Sequence, residues 1–397
     1  MNYNEESLFL HKRLGGKISI MPKLNVQNKD DLSVMYSPGV AEPCKEIAKH
    51  PETVWDYTIK RNTVAIVSDG SAVLGLGNLG AHASIPVMEG KALLFKKFAD
   101  IDAFPICLDT QDTEEIIETV RRIAPVFGGI NLEDISAPRS FEIEERLQDL
   151  GIPVFHDDQH GTAIVVLAAL INACKLTGKR LFDLRVVING AGAAGIAIAR
   201  LLRCAGFDAS SCISVKEVVI CDSKGIIHKD RENLNPAKQE ILAYSNPRNI
   251  KGSLKDALVD ADVFIGVSVG GILNQEDIKT MAPDPIIFPL ANPDPEIMPE
   301  DAYAGGAAVV GTGRSDLPNQ VNNVLGFPGI FRGALDARAT KITADMKLAA
   351  AHAIAECVSN PTREEIIPST LNQGVAFAVA QAVKKAAMRE KEYAAIK

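Results

Sequence analysis

Residues 184–195 read LRVVINGAGAAG and continue into IAIARLLRCA over 196–205. The opening apolar run is typical of a buried strand, and the closing stretch has the periodicity of an amphipathic helix. The turn between them has the spacing Gly-x-Gly-x-x-Gly, which lets backbone amides and a helix N-terminus approach a pyrophosphate. This order of strand, turn and helix predicts a Rossmann-type dinucleotide-binding unit. Its predicted cofactor contacts are Gly190, Gly192, Ala193, Ala194 and Gly195.

The next predicted strand, 217–221, ends at Asp222. In dinucleotide-binding folds, an acidic residue at this place hydrogen-bonds the adenosine ribose. Asp222 is therefore a further predicted cofactor residue. Its distance from Gly195 exceeds the usual spacing of about 20 residues, and we expect the loop 206–214 to account for the excess.

Later strands extend this predicted sheet towards the carboxyl end of the chain. Asn292 follows one of them, so it can face the cofactor or the substrate, or it can simply form a turn. The segment 318–329 is polar and punctuated by glycine, which predicts a loop. The predicted strands are 263–267, 286–290 and 308–311, and the closing helices are 342–358 and 373–388.

Pairs of carboxylates follow two predicted strands, 126–132 and 152–155, in the amino-terminal half. A predicted helix, 140–150, connects these strands, so they should run parallel and end at the same edge of a sheet. Crowded carboxylates repel one another unless neutralised, and all-oxygen ligands favour Mg²⁺ or Mn²⁺. The alternatives are exposed acids without a ligand, or an Asp that caps the following helix. The carboxylates are Glu133, Asp134, Asp157 and Asp158.

Lys91 is the candidate general base. It lies in a predicted helix, 85–99, with Pro86 in the first turn, where proline is tolerated. Helical spacing places Lys91 on an apolar side, and burial lowers the pKa of a lysine towards values useful for a base. The alternative is that its ammonium group extends to solvent.

Tyr36 opens the segment 36–44, YSPGVAEPC, in which two prolines and a glycine are expected to break regular structure. Such a loop can present Tyr36 to a cleft, although simple packing of the ring is an equal alternative. A second Gly-x-Gly-x-x-Gly occurs at 75–80, but polar residues and proline follow where the fingerprint requires a helix. We expect that segment to be a substrate-side loop.

Composition restricts the class of protein. The chain has 397 residues, 47% of them hydrophobic, and a formal net charge of −8 without a basic block, so nucleic acid is not an expected partner. No targeting segment or uninterrupted apolar span is evident, which favours a cytoplasmic protein without a membrane partner. The seven cysteines contain no Cys-x-x-Cys pair, so a disulfide framework is not expected and most should be small buried residues.

Seven motifs together resemble malic enzymes of the short prokaryotic type, in the same order and over nearly the whole chain. They are YSPGVAEPC, VSDGSAVLGLGNLG, EGKALLF, INLEDI, FHDDQHGTA, VVINGAGAAG and NNVLGFPG. The resemblance implies oxidative decarboxylation of L-malate to pyruvate and CO₂, with NAD⁺ or NADP⁺ as oxidant and Mg²⁺ or Mn²⁺ as metal. It also implies an α/β fold, with a substrate- and metal-binding domain at 1–160, a Rossmann domain with closing helices at 161–397, and a homodimer.

The resemblance also implies residue roles. Lys91 would be the base that takes the C2 hydroxyl proton, and Tyr36 the acid that protonates the enol of pyruvate, with Asp157 as a polar partner in the catalytic set. The metal would be held by Glu133, Asp134 and Asp158. The substrate or nicotinamide end would be contacted by Lys91, Asn292 and Asn322, and Asn323 is an alternative to Asn322.

Two questions stay open at this stage. Asp222 favours NAD⁺, whereas Ser223 and Lys224 resemble the pair in relatives that accept a 2′-phosphate. A metal-independent hydroxy-acid or amino-acid dehydrogenase and a non-catalytic nucleotide sensor are the alternative functions.

Overall fold

The computed structural model describes residues 3–205 and 212–396. Two parallel sheets are flanked by helices, which confirms the predicted α/β class. Most strands of both sheets are short and almost wholly buried, as expected where helices cover both faces of a parallel sheet. The strand Asp102–Cys107, at the edge of its sheet, is only partly buried.

The amino-terminal sheet has four parallel strands in the order β2-β1-β3-β4. These strands are β1 (Thr63–Ser68), β2 (Asp102–Cys107), β3 (Gly129–Leu132) and β4 (Val154–His156). The helices of this half are α1 (Tyr3–Leu14), α2 (Lys29–Met35), α3 (Ala41–Lys49), α4 (Val54–Tyr57), α5 (Gly80–Ala99), α6 (Thr113–Ile123) and α7 (Arg139–Arg146).

The second sheet has six strands in the order β10-β9-β8-β5-β6-β7, with only the β6–β7 pair antiparallel. The strands are β5 (Arg185–Asn189), β6 (Glu217–Asp222), β7 (Gly225–Ile226), β8 (Val263–Gly266), β9 (Ile286–Pro289) and β10 (Val309–Val310). Its helices are α8 (Thr162–Thr177), α9 (Ala193–Leu202), α10 (Pro236–Glu240), α11 (Leu254–Leu258), α12 (Gln275–Lys279), α13 (Pro299–Ala304), α14 (Phe327–Asp336), α15 (Ala344–Glu356) and α16 (Gln373–Ile396). Because β5 lies between β6 and β8, the strand order reverses at β5, where ligands bind in open α/β sheets.

Helix α8 lies at the centre of the core. Eleven of its sixteen residues are buried, and one hydrophobic cluster joins it to β1 of the first sheet and β5 of the second. The span Asp157–Thr177 is long and apolar enough to cross a membrane by length and composition, but 67% of its most apolar window is buried inside the protein. Such burial is typical of the central helix of a globular core.

The start of α5 differs from the prediction. The helix begins at Gly80 rather than at residue 85, so Pro86 lies inside it and not in its first turn. Tertiary packing holds the additional turn, since Ala81 and Ser84 are buried and the Ser84 hydroxyl donates to the Ala81 carbonyl at 2.8 Å. The polar residues that suggested a loop here therefore belong to a helix.

Two other predicted loops are partly helical. α14 begins at Phe327, within the predicted loop 318–329, and α3 begins at Ala41, within the segment 36–44. In each case a proline stands in the first turn, where its missing amide costs no helical hydrogen bond. Burial of Phe327 and its neighbours in α14 decides the conformation there.

The expectation that most cysteines are buried apolar residues is wrong. Cys204 and Cys212 form a disulfide with Cα atoms 5.8 Å apart. Of the other five, only Cys174 and Cys221 are buried. The pairing brings the end of α9 to the segment that leads into β6. Residues 206–211 of the predicted loop 206–214 lie outside the described residues.

Candidate active site

The ends of β3 and β4 bring the predicted carboxylates together. The strands are parallel neighbours with Leu132 opposite His156, so the residues that follow them emerge at one edge. Carboxylate oxygens of Glu133, Asp134 and Asp158 lie within 4.8 Å of one another. The three carboxylates therefore lie together, as predicted. That they bind a metal ion is a proposal.

Glu133 and Asp134 can share this space because the strand has already ended. Adjacent residues in a regular strand point to opposite faces, but β3 stops at Leu132 and Asp134 has a positive φ of 53°. The Asp134 amide donates to Asp158 Oδ2 at 2.9 Å, and Asn131 Nδ2 donates to Glu133 Oε2 at 2.8 Å. These bonds orient the carboxylates towards a common point.

The electrostatics of this cluster favour a bound cation. Burial raises the pKa of Glu133 and of Asp158. Burial and the charges of Asp158 and Glu133 raise the pKa of Asp134 to about 9. Asp134 Oδ2 is buried without a hydrogen-bond partner among the described residues. A hard divalent cation would neutralise the repulsion and coordinate that oxygen, so the residues fit Mg²⁺ or Mn²⁺.

Lys91 lies beside this cluster and is 7% exposed. Its Nζ is 2.6 Å from Asp157 Oδ2 and 2.9 Å from Glu133 Oε1, and it lies 4.2 Å from the centroid of the Phe327 ring. The alternative that Lys91 extends to solvent is therefore wrong. Burial by itself lowers the pKa of Lys91, but the charges of Asp157 and Glu133 outweigh it and the pKa is raised. The expected lowering of the pKa is wrong for this arrangement of charges.

Asp157 begins a π-helical turn, Asp157–Gly161, that precedes α8. Its side chain is fully buried, and burial raises its pKa to about 8 in spite of Lys91. A Cβ atom on Gly161 would lie 1.9 Å from Asp157 Oδ1, so only glycine leaves room for this carboxylate. No side-chain hydrogen bond caps the start of α8. The simple capping alternative for these aspartates is therefore not supported.

The glycine turn after β5 has the geometry of a phosphate cradle. Gly190 has a φ of 121° and approaches the Val267 carbonyl, while a Cβ on Gly195 would lie 1.8 Å from the Gly190 carbonyl oxygen. A Cβ on Gly192 would meet nothing within 4 Å and so faces open space. Ala193 and Ala194 open α9. Amides at a helix N-terminus lack partners within the helix and favour negative charge, so the turn fits a dinucleotide pyrophosphate.

Asp222 ends β6, as predicted, but its carboxylate already accepts hydrogen bonds from other residues of the chain. Arg231 donates to both oxygens at 2.8 and 3.0 Å, Lys238 Nζ donates to Oδ2 at 2.6 Å, and the Lys224 amide donates to Oδ1 at 2.9 Å. Burial alone would raise the pKa of Asp222, but these donors lower it to about 2. The carboxylate is thus ionised and surrounded by cations.

The predicted asparagines occupy different environments. Asn292 follows β9 and is exposed. A Cβ atom added to Gly75 would lie 2.2 Å from the Asn292 carbonyl oxygen, so the segment 75–80 begins beside Asn292. Asn322 caps a short turn through Val324, whose amide donates to its Oδ1 at 3.0 Å. Asn323 Cβ lies 3.2 Å from the position of a Cβ on Gly161. Asn323 is thus the one placed against the Asp157–Gly161 turn.

Tyr36 is not brought to this cluster by any contact within the described residues. It ends α2, and its side chain is 69% exposed. Its assigned role as a proton donor stays a prediction.

Sequence reasoning missed two residues that support the site. The ring of Phe327, at the start of α14, packs over the ammonium group of Lys91. The glycine and proline residues of this segment had predicted a loop, so the helix was missed. Glu144 of α7 accepts from the His156 amide at 3.1 Å and contacts His160 Nε2 at 3.0 Å, so it fixes both ends of the π-helical turn. The signal for Glu144 was an acidic residue beside Ile143 on the buried face of α7.

The chain is similar to known proteins over most of its length. The family described as malic enzyme, NAD binding domain, matches residues 159–388, and malic enzyme, N-terminal domain, matches 15–118 and 110–148. The bifunctional malic/malolactic enzyme of Bacillus subtilis is 58% identical over 98% of this chain and 94% of its own. The NAD-dependent malic enzyme of Geobacillus stearothermophilus is 57% identical over 98% of this chain and 80% of its own. The crystal structure of a Thermotoga maritima NAD-dependent malic enzyme has a TM-score of 0.91 at 51% identity, covering 95% of this chain and 98% of that one.

Proposed function

This chain belongs to the malic enzyme family, and from this premise we propose that it converts L-malate to pyruvate and CO₂, reduces NAD⁺ or NADP⁺, and requires Mg²⁺ or Mn²⁺. The proposal includes the division at residue 160 into a substrate and metal domain and a dinucleotide domain. The observation that most directly supports the proposal is the pairing of Lys91 with Asp157 and with Glu133, a member of the carboxylate cluster.

The carboxylate cluster and the glycine turn lie on elements that contact each other. The π-helical turn that carries Asp157 and Asp158 contacts α9, the helix that starts at the glycine turn. A dinucleotide whose pyrophosphate lies at that turn can direct its nicotinamide towards the ends of β8 and β9, where Asn292 lies. Malate held at the carboxylate cluster would then present its C2 hydrogen to the nicotinamide. Asn292 and one of Asn322 and Asn323 are proposed contacts of the substrate or the ring, and the position of Asn323 against the Asp157–Gly161 turn favours Asn323.

Glu133, Asp134 and Asp158 would hold the metal. A bound divalent cation would supply Lewis-acid chemistry, which favours the build-up of negative charge on a substrate oxygen. Lys91 accepts the C2 hydroxyl proton, and Asp157 stabilises the resulting ammonium group. Lys91 needs a lower pKa for this role. Engagement of Glu133 and Asp158 as ligands would weaken the effect of two of the three carboxylates that raise it.

Tyr36 is the proposed acid for the enol of pyruvate, and a homodimer would bring it to a site. The amino-terminal segment exposes many apolar side chains, among them Ile20 at 79% and Met21 at 81%. Clustering of exposed apolar residues in one segment of the chain supports a protein interface there. Tyr36 belongs to the same segment, so pairing of two copies can cover it and direct it to the partner's cluster.

The test is an absorbance assay at the nicotinamide band with malate, Mn²⁺ and either NAD⁺ or NADP⁺, followed by product analysis for pyruvate. Removal of the metal with EDTA should abolish turnover and Mn²⁺ should restore it, whereas a metal-independent dehydrogenase would be unaffected. Absence of signal with both cofactors would refute the proposal. Lactate as the sole product would refute the oxidative reaction.

A further inference from the structure

A cavity of about 230 Å³ lies between α8, α9 and α15. None of the predicted catalytic, metal or cofactor residues lines it. Among the described residues, its wall consists of three basic side chains and six apolar ones, without an acid. The basic residues are His160, Arg200 and Lys347, and the apolar ones are Ala163, Ile164, Ala197, Leu201, Ala205 and Ala344.

Lys347 is a cation without a counterion in contact. Its Nζ forms no hydrogen bond or ion pair within the part of the chain that the structure describes. Burial lowers the pKa of Lys347, the charge of Glu144 opposes this shift, and the charge of Arg200 adds to it. A largely buried ammonium group is costly unless it is paired. An anion in the cavity would supply the missing partner.

The other two basic side chains already have partners that do not line the cavity. Arg200 donates to Glu240 at 2.5 Å and to the Tyr244 hydroxyl at 3.3 Å. His160 Nε2 contacts Glu144 at 3.0 Å. Since these contacts offset the charges of Arg200 and His160, the charge left for a ligand is that of Lys347. The cavity is therefore suited to a single negative charge.

The size and the walls of the cavity restrict the rest of the ligand. Its volume equals about eight water molecules at about 30 Å³ each, so a ligand of roughly eight non-hydrogen atoms is the upper limit. The six apolar side chains favour an apolar body next to the anionic group. A phosphate ion would lose its hydration there and find too few donors in return.

We propose that this cavity is a second ligand site, which binds a small monocarboxylate with a short apolar chain and pairs its carboxylate with Lys347. The site is separate from the carboxylate cluster and the glycine turn, and it does not depend on the proposed function. His160 belongs to the Asp157–Gly161 turn, so an occupant also contacts the turn that carries Asp157 and Asp158.

The test is isothermal titration calorimetry of the intact protein with butyrate, which is within the size limit. The wild type should bind one equivalent with a Kd on the order of 1 mM, as expected for so small a ligand. Butyramide has the same size without the charge and should bind at least about tenfold more weakly, the loss expected for a charged hydrogen bond. Inorganic phosphate should bind more weakly than butyrate.

Three variants separate the charge, the space and the overall charge of the protein. Lys347→Met keeps the length of the side chain and should weaken butyrate by at least about tenfold, while thermal unfolding shows that the protein is folded. Ala344→Leu fills the cavity and should abolish binding with Lys347 unchanged. Lys341→Met removes an exposed lysine that does not line this cavity, so it is the matched control and should bind butyrate as the wild type does.

A competition experiment distinguishes this site from the substrate site. Saturating malate with Mn²⁺ should leave butyrate binding unchanged, whereas displacement by malate would place butyrate at the carboxylate cluster and overturn the second site. Equal affinity of the wild type and Lys347→Met, or no binding at about ten times the expected Kd, would overturn it as well. Phosphate binding as tight as that of butyrate would refute the monocarboxylate assignment. None of these results alters the proposed malate oxidation, which the absorbance assay measures separately.

Discussion

Replacement of Gly161 by alanine tests whether the Lys91–Asp157 contact is needed for catalysis without altering either residue. The new Cβ would lie 1.9 Å from Asp157 Oδ1 and 2.9 Å from its Cγ. Normal contact between these atoms requires more than 3 Å, so the carboxylate must move by about 1 Å or more. The 2.6 Å bond from Lys91 Nζ to Asp157 Oδ2 cannot survive that shift unchanged.

We expect kcat for malate oxidation to fall by about a hundredfold in Gly161→Ala, because misplacement of a catalytic group by about 1 Å has effects of this size. Overpacking should also cost about 1–3 kcal/mol of stability. The assay is steady-state turnover, together with thermal unfolding and NADPH binding to show that the variant is folded and retains its cofactor site.

Gly90→Ala is the matched control, since it makes the same change one residue from Lys91. A Cβ at Gly90 would meet only Lys17 Nζ, at 3.4 Å, which that flexible side chain can accommodate. Turnover should be unchanged, and the exchange of glycine for alanine inside α5 should stabilise the helix by up to about 1 kcal/mol. A folded Gly161→Ala protein with wild-type kcat would refute the reasoning that Asp157 must contact Lys91.

Three further predictions concern the site and its support. Lys91→Ala should lower kcat by about 10²–10⁴, the range for loss of a general base, with NADPH binding retained in a fluorescence titration; equal loss of binding would instead indicate a structural role. Asp158→Asn should raise the Mn²⁺ concentration needed for half-maximal turnover by at least tenfold, and an unchanged metal titration would remove Asp158 from the ligand set. Burial alone would raise the pKa of Glu144, but its contact with His160 and the charge of Lys347 lower it to about 2. The ionised carboxylate therefore stabilises the protein above the unfolded pKa of about 4.5, and this contribution is lost as pH falls towards 2. Glu144→Gln should therefore unfold at a lower temperature than the wild type at pH 6, with the gap closing as the pH falls below 4.5; a gap independent of pH would contradict this.

Local patterns were sufficient for the elements that place the site. The glycine turn was evident because strand, turn and helix each have a signal within a few residues of one another. The carboxylate rim followed from topology, since a short helical connection makes β3 and β4 parallel and brings their ends to one edge.

Only the tertiary structure decided how the charges at these places are paired. Lys91 meets Asp157 across 66 residues of sequence, and that contact reverses the expected direction of its pKa shift. Arg231 and Lys238 donate hydrogen bonds to the Asp222 carboxylate from positions 9 and 16 residues away in the sequence. No periodic pattern in the sequence indicates these contacts. The sequence by itself determined which residues stand at the strand ends, because that depends on local conformation. Their protonation and their free hydrogen-bonding capacity depend on burial and on distances of a few ångströms, which only packing sets.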